Sequence, residues 1–468
     1  MLNEKSIYKS AFWSAIGTVF DRLTSLVLVI FIAPLGPANL GIFHLSLRVL
    51  YGIVKLLKVR RTAKLRDFIQ DPKSLKFEKT AAFYLKAYFY LGSVVGIFFF
   101  FLIIFFAPLK SFAFLALAFP FVFINSYMLL LLQLMQRFKK VFIIQAVFVF
   151  VFQALYILIF IKILNFGIAA AFAGQLFMAI AVSIISFTFV FDRLNLLGFF
   201  QKINLKMFIR KKLSFANALY NTIFPILDIL LVTLLFGFSA SGQYIVLASL
   251  PLLINRIPTT LFGMFIHVAE MKTYKNEDIT QISKSVFKWI LIPTMPLLII
   301  ILLFPSEILS FLFHKTYIKD LGVAQILAIS HFVLSFGWMA ERILIAKDKK
   351  VPRIVSNYLF AFVFISLSLI LALFEYGIFG IALAFLIASM LDVLTKYILV
   401  TKKTKVFFIG MENVKILSAG GVSSLTANIF FANNPILFLS LFLIIYFAIL
   451  WITGVVRLKT FLEIKKII

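Results

Sequence analysis

The chain has 468 residues, 63% of them hydrophobic, and carries a formal net charge of +28. No water-soluble domain of this length can hide that much apolar surface, so the composition excludes a soluble globular protein and makes lipid the solvent. The basic residues gather in short loops between apolar spans, which points to a membrane rather than to nucleic acid, and the absence of cysteine excludes disulfide and thiol chemistry.

A helix needs about 20 apolar residues to cross the hydrocarbon core. The hydropathy pattern predicts fourteen spans. The first six lie at 11–33, 40–57, 83–106, 112–135, 142–162 and 167–191. The next six lie at 215–237, 241–266, 285–304, 323–345, 354–374 and 377–399, and two more at 413–431 and 436–456. The stretch 11–33 is too long for a signal-peptide core and has no small-residue cleavage site behind it, so it reads as a retained first span. Basic residues alternate from loop to loop. One set of loops is dense in them, whereas the other holds only Lys110, Lys162, Lys315 and Lys319. The dense side is cytoplasmic by the positive-inside rule, which puts both termini in the cytoplasm; the expected location is the cytoplasmic (inner) membrane.

The chain repeats itself. Leu35-Gly36, Gly41 and Phe43 recur as Phe236-Gly237, Gly242 and Tyr244. A second pair, Phe166-Gly167-Ile168-Ala169-Ala170 and Tyr376-Gly377-Ile378-Phe379-Gly380, follows the same logic. Spans 1–6 thus correspond to spans 7–12. Six is even, so both halves enter the membrane in the same direction and the repeats are parallel. The expected fold is an all-α polytopic membrane protein of two parallel six-helix repeats plus two extra helices. Its parts are an N-lobe at 1–191, a basic cytoplasmic linker at 192–214, a C-lobe at 215–399, and spans 13–14 with a cytoplasmic tail at 400–468.

Polar residues form stripes at helical spacing. Span 1 carries Ser14, Thr18, Asp21, Arg22 and Ser25; span 2 carries His44, Arg48, Tyr51 and Lys55. Span 7 carries Asn217, Asn221 and Asp228; span 8 carries Ser249, Arg256, Thr260 and Gly263. Charges inside a span are costly and face a cavity or a partner. A central cavity lined by spans 1, 2, 7 and 8 is therefore expected, with Arg22, Arg48 and Arg256 as its bases, Lys55 near its inner mouth, and Asp21 and Asp228 as its acids. Guanidinium groups match phosphate oxygens two at a time, so three cavity arginines suit a phosphate-bearing substrate such as a lipid pyrophosphate. The plainer readings are an Asp21–Arg22 pair that neutralises itself, a Lys55 that snorkels to the interface, and hydroxyls bonded to their own backbone.

With these pieces in place, the chain resembles the multidrug/oligosaccharidyl-lipid/polysaccharide (MOP) exporter superfamily, in particular its polysaccharide transporter branch of Wzx-like O-antigen flippases. The resemblance rests on Leu35-Gly36-Pro37 through Gly41-Ile42-Phe43, on Gly242-Gln243-Tyr244, on Phe313-His314-Lys315-Thr316-Tyr317, and on Tyr376-Gly377-Ile378-Phe379-Gly380-Ile381-Ala382. It implies alternating access between two six-helix lobes and transfer of a lipid-linked saccharide to the outer leaflet. Lipid II flippases of the superfamily carry cavity arginines on spans 1, 2 and 8, where Arg22, Arg48 and Arg256 fall. They also carry a sodium site on spans 7, 11 and 12. By resemblance Asp228 and Asn357, with Ser389 or Asp392, correspond to it, but Ala361 stands where a second carboxylate is expected. Sodium coupling and proton coupling through Asp21 or Asp228 both stay open.

The leading expectation is a flippase for an undecaprenyl-pyrophosphate-linked oligosaccharide, of O-antigen or capsule type, with membrane lipids around it and polysaccharide polymerase or assembly proteins as candidate associates. A peptidoglycan lipid II flippase is the alternative. A cation-coupled drug exporter fits less well, because three cavity arginines repel cationic drugs. A polytopic polymerase or glycosyltransferase would need a large external loop bearing catalytic groups. The longest outside segment, near 305–322, holds only Glu307, His314 and Asp320 as acids or histidines, so no enzyme and no resident cofactor is expected.

Overall fold

The computed structural model describes residues 4–57, 75–106, 112–135, 137–156, 167–200, 212–256, 276–347, 349–431 and 434–456, with single residues at 159, 161, 163 and 259. Among them the chain is helical, with no strand. The helices are α1 (Glu4–Ile32), α2 (Pro37–Leu56), α3 (Leu75–Phe106), α4 (Ala113–Leu134), α5 (Phe138–Phe142), α6 (Phe150–Tyr156), α7 (Gly167–Val190) and α8 (Lys212–Ser249). They continue as α9 (Asn276–Leu303), α10 (Pro305–Leu312), α11 (Leu321–Ala346), α12 (Lys350–Leu373), α13 (Gly377–Thr404), α14 (Met411–Phe431) and α15 (Pro435–Ile452). A π-helical segment, Ile143–Val149, joins α5 to α6.

Helical residues stand at each of the fourteen expected positions, and ten helices among the described residues are long and apolar enough to cross a membrane. Spans 1, 2 and 5 fall outside that ten, and spans 7 and 8 count once because the helix Ala218–Ser249 runs through both. The apolar part of span 1 is short, Leu23–Leu35, and α2 carries His44, Arg48 and Lys55 along its length. The basic linker is described at its ends only; residues 201–211 lie outside the described set.

The repeat is visible in the backbone. Gly36 has φ 97° and ψ 160°, and its counterpart Gly237 has φ 84° and ψ 177°. The second pair agrees equally well, with φ 58° at Gly167 and 55° at Gly377. These conformations are open to glycine and strained for residues with a Cβ. Both members of each pair therefore use the same kind of hinge at the same place in their repeat. At Gly237 the bend falls inside α8, whose helical bonding resumes at once on the far side.

The two hinges pack on each other. A Cβ on Gly41 would collide with the Phe238 carbonyl oxygen, and a Cβ on Gly242 would collide with the Pro37 carbonyl oxygen. Exchanging the two repeat copies turns the first contact into the second. Only glycine allows two backbones this close. Further along, Gly52 of α2 packs against Thr222 of α8. A second close approach joins α3 to α4, where the spacing Gly92-x-x-x-Gly96 lets α3 lie on Pro120 and Ala116.

The chain forms two compact units. The first is Met1–Thr233 with Gly237–Gly242, and the second is Leu234–Phe236 with Gln243–Ile468. The first half of α8 belongs to the first unit, where it meets α2 at Thr222 and Pro225, although by repeat it opens the second half of the sequence. Within the first unit, Arg137 bonds Asp192 with both terminal nitrogens, at 3.0 and 2.9 Å, and the Phe189 carbonyl at 2.9 Å. The hydrogen bonds to Asp192 hold its guanidinium above the ordinary arginine range. In the second unit α14 and α15 join α9: Tyr446 donates to the Ile292 carbonyl at 2.9 Å, and Lys288 pairs with Glu412 at 3.1 Å.

The glycine crossing gives the first prediction. Gly41→Ala and Gly242→Ala should each cost about 1–3 kcal/mol through steric overlap, seen as a lower midpoint of thermal unfolding in detergent. Gly421→Ala, where an added Cβ meets open space, should leave the midpoint unchanged within error.

Candidate functional site

Of the expected site residues, the structure brings two together. Arg48, in the middle of α2, reaches α8. Its Nη1 donates to the Pro225 carbonyl at 2.6 Å and meets Asp228 Oδ1 at 3.4 Å. Arg48 has no acid within a turn of its own helix, so its counter-charge comes from a residue 180 positions away. The side chains are 23% and 17% exposed, so the pair is neither sealed nor freely solvated. One turn before Arg48, His44 is buried and its Nε2 has no hydrogen-bond partner. Lys55, in the last turn of α2, is exposed, in keeping with a place at the interface.

Arg256 is half-buried and belongs to the second unit. Asn357, in α12, also belongs to the second unit, whereas Asp228 belongs to the first. The side chains of Asp21 and Arg22 lie outside the described residues, as do those of Ser14, Thr18, Asn217, Asn221, Thr260 and Gly263. Tyr51 is exposed, and the Ser249 hydroxyl donates to the Val246 carbonyl at 2.7 Å, the plain backbone role. The first unit also has a small, partly open pocket lined by Gln153, Gln175, Tyr156, Leu28, Ile32 and Phe43 among others. It has no charged side chain, so it offers nothing that matches a pyrophosphate.

The second unit holds a cluster that sequence reasoning did not assemble. Glu341 of α11 accepts from Arg353 Nε of α12 at 2.7 Å and faces Lys396 Nζ of α13 at 3.5 Å. Lys396 in turn meets Asp392 at 2.7 Å, and Asp392 accepts from Ser356 of α12 at 2.8 Å. Two acids and two bases balance, and Asp392 and Lys396 are 3% and 5% exposed. Three helices are thereby tied in register by one neutral network. Asn357, next in sequence to Ser356, is 1% exposed, and neither of its amide atoms has a partner. Ser389 spends its proton on the Phe385 carbonyl at 2.7 Å. The available signal was Asp392 inside an apolar span with Lys396 one turn on. Among the described residues, no group of acids and histidines is fit to hold a metal ion.

No protein-family model and no curated protein sequence matches the chain. Solved structures do. The lipid II flippase MurJ in an inward closed conformation aligns with a TM-score of 0.72 at 15% identity, covering 94% of this chain and 99% of that one. An inward-facing multidrug resistance MATE family transporter of the MOP superfamily aligns at 0.67 and 13% identity, over 82% and 94%. A MOP superfamily transporter from Pyrococcus furiosus Vc1, described as having a binding pocket of reversed polarity, aligns at 0.61 and 14% identity, over 86% and 96%. The molecule is a polytopic α-helical membrane protein. It shares its fold with these MOP superfamily structures.

The buried network gives the second prediction. Lys396→Met leaves Asp392 and Glu341 short of a cation and should cost about 3–5 kcal/mol. The double variant Lys396→Met/Asp392→Asn should recover most of that loss. Thermal unfolding of the purified variants in one detergent reads both.

Proposed function

We propose that the protein is a flippase for an undecaprenyl-pyrophosphate-linked oligosaccharide, an O-antigen or capsule-type unit, which it carries across the cytoplasmic membrane by alternating access with cation coupling. The transporter fold supports the class. The substrate reading is carried by one observation: a guanidinium, Arg48, held in an apolar helix with one of its nitrogens engaged among the described residues. A charged group in that setting is costly unless it serves a ligand or a partner. Its planar fork matches two phosphate oxygens.

In this reading Arg22, Arg48 and Arg256 take the pyrophosphate, and Lys55 draws the head group in from the cytoplasmic side. Asp21, Asp228 and Asn357 serve the coupling ion, sodium or proton. The two six-helix repeats at 1–191 and 215–399 are the moving lobes, spans 13–14 are an addition, and both termini are cytoplasmic. The head group passes from one leaflet to the other without any covalent change, so the protein acts by binding and release alone. Polysaccharide polymerase or assembly proteins are its expected associates.

Reconstituted vesicles holding a fluorescent undecaprenyl-pyrophosphate oligosaccharide test the reading. Wild-type protein should speed leaflet exchange. Arg48→Ala/Arg256→Ala should lower the rate at least tenfold, a loss of about 1.4 kcal/mol or more of head-group interaction, while the protein keeps its unfolding midpoint. Unchanged exchange in the double variant would remove the arginines from the substrate path. Lipid II in place of the oligosaccharide, together with complementation of a strain depleted of its own lipid II flippase, decides between the two lipid substrates.

A further inference from the structure

We infer that Asp228 is a built-in competitor for the phosphate that Arg48 takes, so that head-group binding and the release of Asp228 from Arg48 are a single exchange; the inference rests on the reading of Arg48 as a head-group ligand.

The ion pairs of this chain differ in how fully they use the guanidinium. Arg137 spends both terminal nitrogens on Asp192, at 3.0 and 2.9 Å. Arg353 meets Glu341 through Nε at 2.7 Å. Arg48 instead crowds two acceptors onto Nη1. The short bond, 2.6 Å, goes to the neutral Pro225 carbonyl, and the anionic oxygen of Asp228 stands off at 3.4 Å. Among the described residues no acceptor meets Nη2 or Nε. A contact of 3.4 Å lies past the usual range for a charge-assisted bond, so the attraction is real and weak.

Those features suit an exchange. When no substrate is present, Asp228 neutralises a cation that would otherwise stand bare inside an apolar helix. A phosphate offers what Asp228 does not, two oxygens placed for the free edge of the fork, and it displaces a single-point partner at little cost. The partial exposure of both side chains, 23% and 17%, leaves room for the incoming group. Once displaced, the Asp228 carboxylate has lost its counter-charge. That carboxylate is then the group a coupling cation would neutralise, so anion binding and cation uptake are linked at one residue. The Pro225 carbonyl keeps its bond to Nη1 throughout and holds the guanidinium in place on α8.

The experiment measures binding of undecaprenyl pyrophosphate to the full-length protein in nanodiscs by ligand-dependent thermal shift. Asp228→Asn removes the competitor's charge and should tighten binding about five- to tenfold. Its flipping rate should fall even so, because release is no longer driven. Asp228→Glu keeps the charge on a longer arm and should weaken binding. Arg48→Gln should lose binding, and Arg48→Gln/Asp228→Asn should match Arg48→Gln alone, since the competitor has nothing left to compete for. Should Asp228→Asn fail to fold, the weakening in Asp228→Glu and the wild-type measurement still decide. Binding in Asp228→Asn equal to or weaker than wild type, or Asp228→Glu binding more tightly, overturns the exchange and leaves the flippase reading standing. If the wild-type protein binds no pyrophosphate lipid while remaining folded, the reading of Arg48 itself fails and the exchange with it.

Discussion

The close passage of two glycine hinges is the constraint on which the first unit depends. Gly41 lies against the Phe238 carbonyl, and Gly242 lies against the Pro37 carbonyl. Each contact is the repeat image of the other. Side chains cannot intervene, so the backbones of the two repeat copies set their own separation. In lipid, where burying apolar surface gives helices no preference for each other, such close approach is the main source of packing energy. The crossing also fixes what lies further along the same helices. With α2 held on α8 at this end, Gly52 meets Thr222, and Arg48 is delivered to Pro225 and Asp228. The proposed site is thus positioned by backbone geometry several turns away.

Much of the fold could be read from the sequence because its demands are local. A glycine that must take positive φ cannot be replaced cheaply, so Gly36, Gly167, Gly237 and Gly377 stand at matching places in both repeats and announce the duplication. Apolar length announces each helix. Two things were not legible. The compact units do not divide where the repeat does: the first half of α8 lies in the first unit. Sequence order carries no trace of that choice. The π-helical stretch Ile143–Val149 is equally silent, because its composition is that of any apolar span.

The site was half legible for a related reason. Arg48 declares itself as a base in an apolar helix, and Asp228 as an acid in another. Their pairing depends on the crossing of α2 and α8, which no spacing within either helix encodes. Glu341, Arg353 and Lys396 were harder still. Each lies within reach of a span end, where a charged side chain ordinarily snorkels to the interface. Only the registers of α11, α12 and α13 turn them inward onto Asp392 and Ser356. Asn357 was picked out by resemblance, and among the described residues it is buried with both amide atoms unpartnered.

The two charge clusters answer the same cost in opposite ways, and the contrast bears on function. The network around Lys396 is closed: two acids and two bases balance, and the inner pair is almost without exposure. Opening it would leave a carboxylate unpaired in a low-dielectric interior, so it resists change and holds three helices as one body. The Arg48–Asp228 pair is open. Among the described residues it engages one of the three guanidinium nitrogens, at a distance where attraction is weak, and both members keep some exposure. In the proposed reading the first kind of cluster keeps a helix group rigid, and the second can trade its bonds for those of a passing head group. Burial and bond length separate the two: the Lys396–Asp392 contact is short and sealed, and the Arg48–Asp228 contact is long and partly exposed.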